Sequence, residues 1–488
     1  MLVFSNFREF DPSVDGSNPK IMANGLFLFT CSCLLIFVVL GIAMFYSGMT
    51  QRRSSLSMLA IPLIVTVVTF IVWCVLGYSL TFSDNASTGY IGNFQFAGLR
   101  TLERALLVNE SATDNLIPAL PHAVFEGLLA CVAAALTMPC IAERGRILPM
   151  LVFCVVWVIL VYCPVAYWEW NSKGWMVDKI DILDYGGGSP VHLVSGFTSL
   201  AYSILLGQRD QILIMNKNRY RNSNTGMIVI GTMFLVAGWL GFNAGCSLTL
   251  GLASFISVLN TLISMAMASL TWMSVDYYWN RKLSIMGFCS GCLTGLVVIT
   301  PAAGYVNPWS SFIFGFVGGF LVNFATGLKY LIHVDDSLDI FALHGIGGMI
   351  GNLLTGLFAD KNIAILGYND IDGGWVNQNY VQLGWEVVGT IVVSLYAFTI
   401  SFVVLLIINW IPGLRLKIND EQTLHGGADE WEFGGEFIQD FVEFLRILDP
   451  TDYLRGDVEP QLDSQLNSQL DSPAGESYQQ DVYQMRDL

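Results

Sequence analysis

The sequences Asp184-Tyr-Gly-Gly-Gly-Ser-Pro-Val-His192 and Asp336-Ser-Leu-Asp-Ile-Phe-Ala-Leu-His344 each place a histidine eight residues after an aspartate, at the head of a long apolar segment. The whole chain has only five histidines. An ionisable side chain inside a membrane span is costly unless it has a partner or faces a wet cavity, so it marks a functional site. Two histidines at matched depth therefore indicate one shared site.

The composition indicates a membrane protein. Of 488 residues, 54% are hydrophobic and only 13% are charged. A span requires roughly 20 predominantly apolar residues. This criterion predicts an all-α membrane protein with eleven transmembrane helices, at about residues 25–46, 56–80, 119–141, 148–168, 185–207, 226–246, 249–276, 283–302, 309–333, 338–358 and 385–410.

Lysine and arginine favour alternate connecting segments. The segments after predicted spans 1, 3, 5, 7 and 9 hold eleven of them, whereas the amino-terminal segment and the other loops hold seven. Because cytoplasmic loops carry the excess of positive charge, we expect the N-terminus outside and the C-terminus inside. The predicted order is an extracellular N-terminal segment at 1–24, the membrane domain at 25–410, a cytosolic regulatory tail at 411–456 and a disordered acidic C-terminus at 457–488.

The negative net charge of −16 lies mostly in the tail. Residues 411–488 contain seventeen acidic and five basic side chains. The polar repeat Gln461-Leu-Asp-Ser-Gln-Leu-Asn-Ser-Gln-Leu-Asp-Ser472 is typical of disorder. This acidity argues against binding to nucleic acid or to an anionic membrane face. No soluble segment carries a catalytic constellation, so an enzyme is not expected.

The two histidines are predicted to lie near the bilayer midplane, where they could touch. Their helices run in opposite directions, and eight residues at ~1.5 Å rise carry each histidine ~12 Å into a hydrocarbon core of ~30 Å. The imidazoles would then lie about 6 Å apart along the membrane normal. Matching patterns on opposed helices predict two inverted five-helix repeats plus a final helix, with the site at the repeat interface.

Further short motifs accompany the two segments that carry the histidines. They are Phe45-Tyr-Ser-Gly48, Gly77-Tyr-Ser-Leu80, Ala142-Glu-Arg144, Gly238-Trp-Leu-Gly-Phe-Asn-Ala-Gly245, Cys289-Ser-Gly291 and Thr300-Pro-Ala-Ala-Gly304. With these motifs the chain resembles the Amt/Mep/Rh ammonium transporter family, and within it the fungal Mep branch, over nearly the whole membrane domain. The resemblance implies a homotrimer with one pore per subunit, and uptake of ammonium or methylammonium at the plasma membrane by a multi-pass protein without cofactors.

The resemblance also assigns residues to an ammonium pathway. It implies that His192 and His344 line the pore, and that Trp170 and Phe242 belong to the outer recruitment site and gate. Two positions depart from the family pattern. Leu129 stands where the second gate phenylalanine is usual, and Cys246 stands where a serine commonly bonds the ion, so we expect weaker external affinity.

Two acidic residues have alternative interpretations. Asp184 supports the site near the outer mouth by resemblance, but it is equally a helix cap at the start of its span. Glu126, inside the third predicted span, either attracts cations at the vestibule or makes interhelical hydrogen bonds.

Three functions remain open from the sequence. The leading one is an ammonium transporter. An ammonium sensor that signals through its long tail, with a kinase or regulatory protein as partner there, is the second. A channel for another small neutral solute or a metal transporter is the third, although the apolar surroundings of the histidines offer too few metal ligands.

Overall fold

The computed structural model describes residues 6–13, 15–109, 112–209, 222–419 and 427–434. Within these residues, ten helices are long and apolar enough to cross a membrane. A shorter apolar helix, Ile285–Ile299, lies at the eighth predicted span, 283–302. In chain order the eleven are α1 (Pro19–Met49), α2 (Arg52–Phe82), α3 (Ala119–Ile141), α4 (Ile147–Ile180), α5 (Gly188–Leu206), α6 (Thr225–Gly245), α7 (Leu252–Asn280), α8 (Ile285–Ile299), α9 (Pro308–Leu331), α10 (Phe341–Phe358) and α11 (Val381–Trp410).

Helix α8 is short because a serine cap begins it and a proline follows its end. The Ser284 hydroxyl accepts the backbone N–H of Gly287 and caps the start. Pro301 follows Thr300, and a proline has no backbone N–H with which to continue the hydrogen bonds of the helix. At 15 residues, α8 is shorter than the other ten.

Glycines allow helices to cross closely in the first half of the chain. At Gly41 of α1, an added Cβ would lie 2.6 Å from the backbone N of Leu235 in α6, and at Gly231 it would lie 2.6 Å from the N of Phe45. No side chain fits at such distances, so the two backbones are in direct contact. This is the small-residue packing typical of membrane helices.

A three-stranded antiparallel sheet, which the all-α prediction missed, covers one end of the helices. It consists of β1 (Asn6–Glu9), β2 (Ala105–Asn109) and β3 (Ala112–Pro118) in the order β1-β2-β3. Leu106 and Leu116 pack with Ile21, in the first turn of α1. Strands of four, five and seven residues are too short to stand out from loops in hydropathy. Helix α1 also begins at Pro19, inside the segment predicted as extracellular.

The chain after α11 lies against the loop between α3 and α4. The Arg146 N–H donates to the Leu416 carbonyl and the Ile418 N–H to the Arg144 carbonyl. A tail helix, α12 (Gly427–Phe433), then reaches the starts of α2 and α4. Residues 420–426 and 435–488, which include more than half of the predicted regulatory tail and all of the predicted acidic C-terminus, lie outside the described part of the chain.

Candidate functional site

His192 and His344 are in direct contact. Their Nδ1 atoms lie 3.3 Å apart, and their rings are stacked with centroids 5.3 Å apart and planes 25° apart. Both residues are fully buried. The contact that the sequence spacing made possible is therefore present.

Both histidines lie in π-helical turns, which the sequence analysis did not predict. His192 is in the turn Gly188–Leu193 at the start of α5, and His344 is in the turn Phe341–Ile346 at the start of α10. Single π turns inside helices are rare and frequently occur at functional sites. The two segments therefore share a π turn in the backbone as well as the aspartate and histidine spacing in the sequence.

Glycines bring the two helix starts together. An added Cβ at Gly196 would collide with the backbone of Gly345, and one at Gly348 would lie 3.2 Å from the His192 Cβ. The glycine four residues after each histidine therefore faces the opposite helix. Larger side chains at these positions would separate the imidazoles.

Asp184 caps the turn that carries His192. Its Oδ1 accepts the backbone N–H groups of Gly187 and Gly188 at 2.6 and 2.9 Å, and its Oδ2 accepts that of Ser189 at 2.8 Å. These three donors lie at the buried start of a helix, where no intrahelical acceptor is available. The capping interpretation of Asp184 describes this geometry, and it is compatible with a supporting role at the site.

Asp336 has the same relation to the turn that carries His344. It accepts the N–H groups of Ile340 and Phe341 at 3.1 and 2.8 Å. Burial, and then the neighbouring charge of Asp339, raise the pKa of Asp336 above its usual value. Each histidine is thus positioned by a buried aspartate at the beginning of its own helix.

A stack of aromatic rings continues from the histidines. The His192 ring stacks on Trp239 with centroids 5.6 Å apart, and Trp239 stacks on Phe242 with centroids 5.3 Å apart. The Trp239 indole N–H donates to the Thr300 hydroxyl at 3.0 Å, which holds the ring in place. The imidazoles therefore lie at the end of an apolar wall.

The contact between the two Nδ1 atoms limits the protonation of the pair. One proton can lie between them, with one ring donating and the other accepting. The accepting ring then carries its proton on Nε2, while the donating ring has an Nε2 lone pair. Both Nε2 atoms are buried and have no hydrogen-bond partner in the described residues. Two protonated rings would place donors against each other, so a neutral pair suits this geometry.

The residues assigned to the outer entrance are all buried. Trp170 is 2% exposed, and Leu129, Phe242 and Cys246 are fully buried. The Cys246 thiol donates to the Phe242 carbonyl at 3.2 Å. The Ser247 hydroxyl lies 2.7 Å from the Ala244 carbonyl and 2.8 Å from the Thr249 carbonyl and can donate its one proton to either, so it is engaged with the backbone of its own turn.

Glu126 is buried beside a histidine. Its Oε1 lies 3.6 Å from the His122 Nε2, one turn earlier on α3, and neither of its oxygens has a hydrogen-bond partner in the described residues. The Tyr78 hydroxyl approaches the His122 Nδ1 at 3.2 Å. Among the described residues, Glu126 therefore makes no interhelical hydrogen bond, which was one of its two alternative roles. The carboxyl group lies instead at the end of a row of neighbouring side chains formed by Tyr78, His122 and Glu126.

The sequence analysis missed other buried polar groups of this region. Trp239 could have been found from its helical spacing to Phe242 within a motif already quoted. Two buried carboxyl groups could not have been found from the sequence, because their environment depends on packing between distant segments. They are Glu169, adjacent to Trp170, and Glu386 of α11. Among the described residues, no group of three or more His, Cys, Asp or Glu side chains is placed to hold a metal ion.

Comparisons with known proteins agree with one another. The sequence model of the Ammonium Transporter Family matches residues 26–436. The chain is 39% identical to Ammonium transporter 1 of Schizosaccharomyces pombe, over 83% of this chain and 80% of that one. It is 38% identical to Ammonium transporter MEP2 of Saccharomyces cerevisiae, over 85% of this chain and 83% of that one. The crystal structure of Saccharomyces cerevisiae Mep2 superimposes with a TM-score of 0.77 at 37% identity, covering 83% of this chain and 89% of that one.

Proposed function

Because the chain belongs to the ammonium transporter family and is similar to its fungal Mep members, we propose that it carries ammonium into the cell across the plasma membrane. Ammonium transport by a multi-span membrane protein follows from the family itself. The observation that supports the mechanism below is the buried contact between His192 and His344, with Nδ1 atoms 3.3 Å apart.

The mechanism that we infer separates ammonium from potassium by proton loss. The two cations are similar in size and charge, so a simple cation pore would discriminate poorly between them. Ammonium can give up a proton and cross an apolar passage as neutral ammonia, whereas potassium keeps its charge. Desolvating an ion in such a passage costs many kcal/mol. An apolar passage lined with neutral imidazoles therefore favours the substrate that can lose its charge.

The twin histidines would guide ammonia through this passage. With one proton between the Nδ1 atoms, one Nε2 offers a lone pair and the other offers an N–H. Ammonia both donates and accepts hydrogen bonds, so it fits either side chain. The stack of His192, Trp239 and Phe242 supports this role, because it leaves the Nε2 atoms as the polar groups of an otherwise apolar wall.

Recruitment is proposed at the outer end, around Trp170. An indole ring face attracts a cation, and the buried carboxyl group of Glu126 would add negative potential. Phe242 and Leu129 would close the passage below, and Cys246 would offer a weak hydrogen-bond partner in place of a hydroxyl group. Asp184 would support the site by holding the turn of His192.

The finer architecture is also proposed. We infer eleven membrane spans in two inverted repeats of five plus α11, with the N-terminus outside and the C-terminus inside. The paired aspartate caps and π turns of α5 and α10 support the repeat. A homotrimer with one pore per subunit would follow the family pattern.

A sensor that signals ammonium supply is the second candidate, and contacts of the tail favour it. Asp429 of α12 accepts the N–H groups of Leu56 and Ser57 at the start of α2, at 2.9 and 2.7 Å. Glu432 accepts the Ile147 N–H at the start of α4 at 2.9 Å. Movement of these helix starts would reach the tail directly, where a kinase or regulatory protein would act.

Growth on limiting ammonium tests the proposed function. A yeast strain that lacks its own ammonium transporters would express the full chain, with uptake of methylammonium and membrane current measured in the same cells. We expect restored growth and saturable uptake. Protein at the cell surface without either would refute transport, and a signalling response in such cells would support the sensor.

A further inference from the structure

A cavity with acidic walls reaches Asp184 from a side that the proposed entrance does not use. It has a volume of about 440 Å³ and is lined by the end of α4, the segment 181–184, the loop 368–372 and the start of α11. The residues assigned to the proposed entrance are not part of its described lining, namely Trp170, Leu129, Phe242 and Cys246. Asp184 therefore lies between two approaches, the entrance at Trp170 and this acidic cavity.

The charged side chains that line the acidic cavity, among the described residues, are all negative. Asp181, Asp370 and Asp372 lie at its rim, and Glu169 and Asp184 are buried at its floor. Among the described residues that line it there is no lysine, arginine or histidine. A concave surface of one sign concentrates counter-ions, so cations and hydronium ions gather at this opening.

Glu169 is the carboxyl group at the floor that lacks a hydrogen bond within the described residues. It is 3% exposed, and neither of its oxygens has such a partner. Asp184 and Ser189 are its polar neighbours, and Glu386 lies within electrostatic range. Both oxygens of Asp184 already accept backbone N–H groups. Glu169 is thus the carboxyl group of the pair with unused capacity to bind a proton.

Two neighbouring buried carboxyl groups do not both ionise without a cation. Like charges at short range in a medium of low dielectric constant repel strongly, and such a pair commonly shares a proton. Because the described lining of the cavity holds no basic side chain, the proton must come from the substrate or from the outer solution. Glu386 cannot supply a positive charge, since it is a further carboxyl group.

We propose that Glu169 and the acidic cavity form a proton-exchange port for Asp184, through which the proton released by ammonium returns to the outer solution. This inference rests on the proposed ammonium transport. At rest the pair holds one proton, on Glu169. Glu169 gives this proton to a water molecule of the cavity, which becomes hydronium, while an N–H bond of ammonium breaks, its proton binds the carboxylate of Asp184, and ammonia remains. The proton then passes from Asp184 to the carboxylate of Glu169, which regenerates the pair with its single proton.

The charge moved per substrate molecule tests the port. Oocytes that express the full chain would be exposed to methylammonium, with radioactive uptake, membrane current and surface pH recorded together. The wild-type chain should acidify the outer surface and carry much less than one charge per molecule. One charge per molecule in the wild-type chain would overturn the port, and this readout needs no variant. Absence of uptake by wild-type protein at the surface would refute the proposed function itself.

The variant Glu169→Gln tests the side chain. At equal surface expression, we expect its maximal uptake to fall at least about tenfold, with the remaining flux carrying more charge per molecule and with KM changed less. Glu169→Asp should restore part of the flux because it keeps a carboxyl group, and it also serves as the test variant if Glu169→Gln does not reach the surface. A merely structural role would not change the charge per molecule.

The matched control is Glu103→Gln, the same substitution at an exposed position outside the lining of the cavity. It should leave the flux and the charge per molecule unchanged. Unaltered flux and charge per molecule in Glu169→Gln, or the same loss in Glu103→Gln, would show that Glu169 is no specific proton carrier.

Discussion

The Nδ1 atom of His192 lies 3.3 Å from the Nδ1 atom of His344, although 152 residues separate them in the chain. The contact depends on the glycines that let α5 and α10 cross, and on an aspartate cap at the start of each helix. The pair faces an apolar wall, and its Nε2 atoms have no hydrogen-bond partner among the described residues. This geometry supports the proposed role of the pair in transport.

Replacing both histidines by alanine should damage transport or selectivity while the protein still assembles. The two rings contact each other and Trp239, so their loss leaves the hydrogen bonds between the surrounding helices in place. Methylammonium uptake with and without potassium measures the effect, and size-exclusion chromatography checks assembly. The control is His333→Asn at an exposed position with a φ of 53°, which asparagine tolerates. Unchanged rate and selectivity in the double variant would contradict the pore role.

The altered entrance should bind substrate more tightly when the usual residues are restored. Leu129→Phe adds an aromatic face and Cys246→Ser a stronger hydrogen-bond partner, each worth about 0.5–2 kcal/mol for a partly desolvated cation. At ~1.4 kcal/mol for each tenfold change, the double variant should have a clearly lower apparent KM for methylammonium. Cys292→Ser, whose thiol contacts Ser269 elsewhere, is the matched control. If the double variant binds no better, Trp170 or Glu126 already provides what these substitutions add.

Acid should destabilise the protein through Asp335. Burial raises the pKa of Asp335, but hydrogen bonds from Arg209 and the charge of Arg144 outweigh it and lower the pKa to about 2. Arg209 binds both carboxylate oxygens at 2.8 Å. Because the folded-state pKa lies below the unfolded value of 3.8, this stabilisation is present above about pH 4 and is lost as the pH falls toward about 2, by about 2 kcal/mol in total.

Thermal unfolding of the purified protein between about pH 2 and 5 measures this loss. Asp335→Asn should be less stable than the wild-type chain at the upper end of this range and should depend less on pH at the lower end. Asp178→Asn, which removes a surface ion pair with Lys179, should behave like the wild-type chain, since such pairs contribute little. Equal pH dependence in Asp335→Asn and the wild-type chain would show that this ion pair does not stabilise the fold.

Truncation after Arg455 should leave transport in place. The described contacts of the tail with the membrane domain come from segments before residue 435, among them Asp429 on α2 and Glu432 on α4. Asp429→Ala removes a helix cap, which costs about 1 kcal/mol, and should reduce or deregulate uptake more than the truncation does. Loss of assembly in the truncated chain would show instead that its last residues are structural.

The helices could be predicted from local sequence patterns. The features that were not predicted, such as the π turns and the surroundings of Glu169, depend on tertiary packing. Each predicted apolar run overlaps a helix. About twenty consecutive apolar residues are long enough to span a membrane as a helix, and a helix satisfies its own backbone hydrogen bonds there. The repeated aspartate and histidine spacing indicated that His192 and His344 could touch. The π turns around them have no signature in hydropathy. The surroundings of Glu169 require α4, the turn before α5 and α11 to converge, and no linear pattern encodes that.

Competition by potassium tests the central claim most directly. Full-length protein in vesicles would take up radioactive methylammonium at a concentration near its KM, with and without a large excess of potassium at constant ionic strength. If transport depends on loss of a proton, the initial rate should be nearly unchanged by potassium, and potassium itself should not enter. Inhibition by potassium on equal terms, or its entry at a comparable rate, would contradict the account.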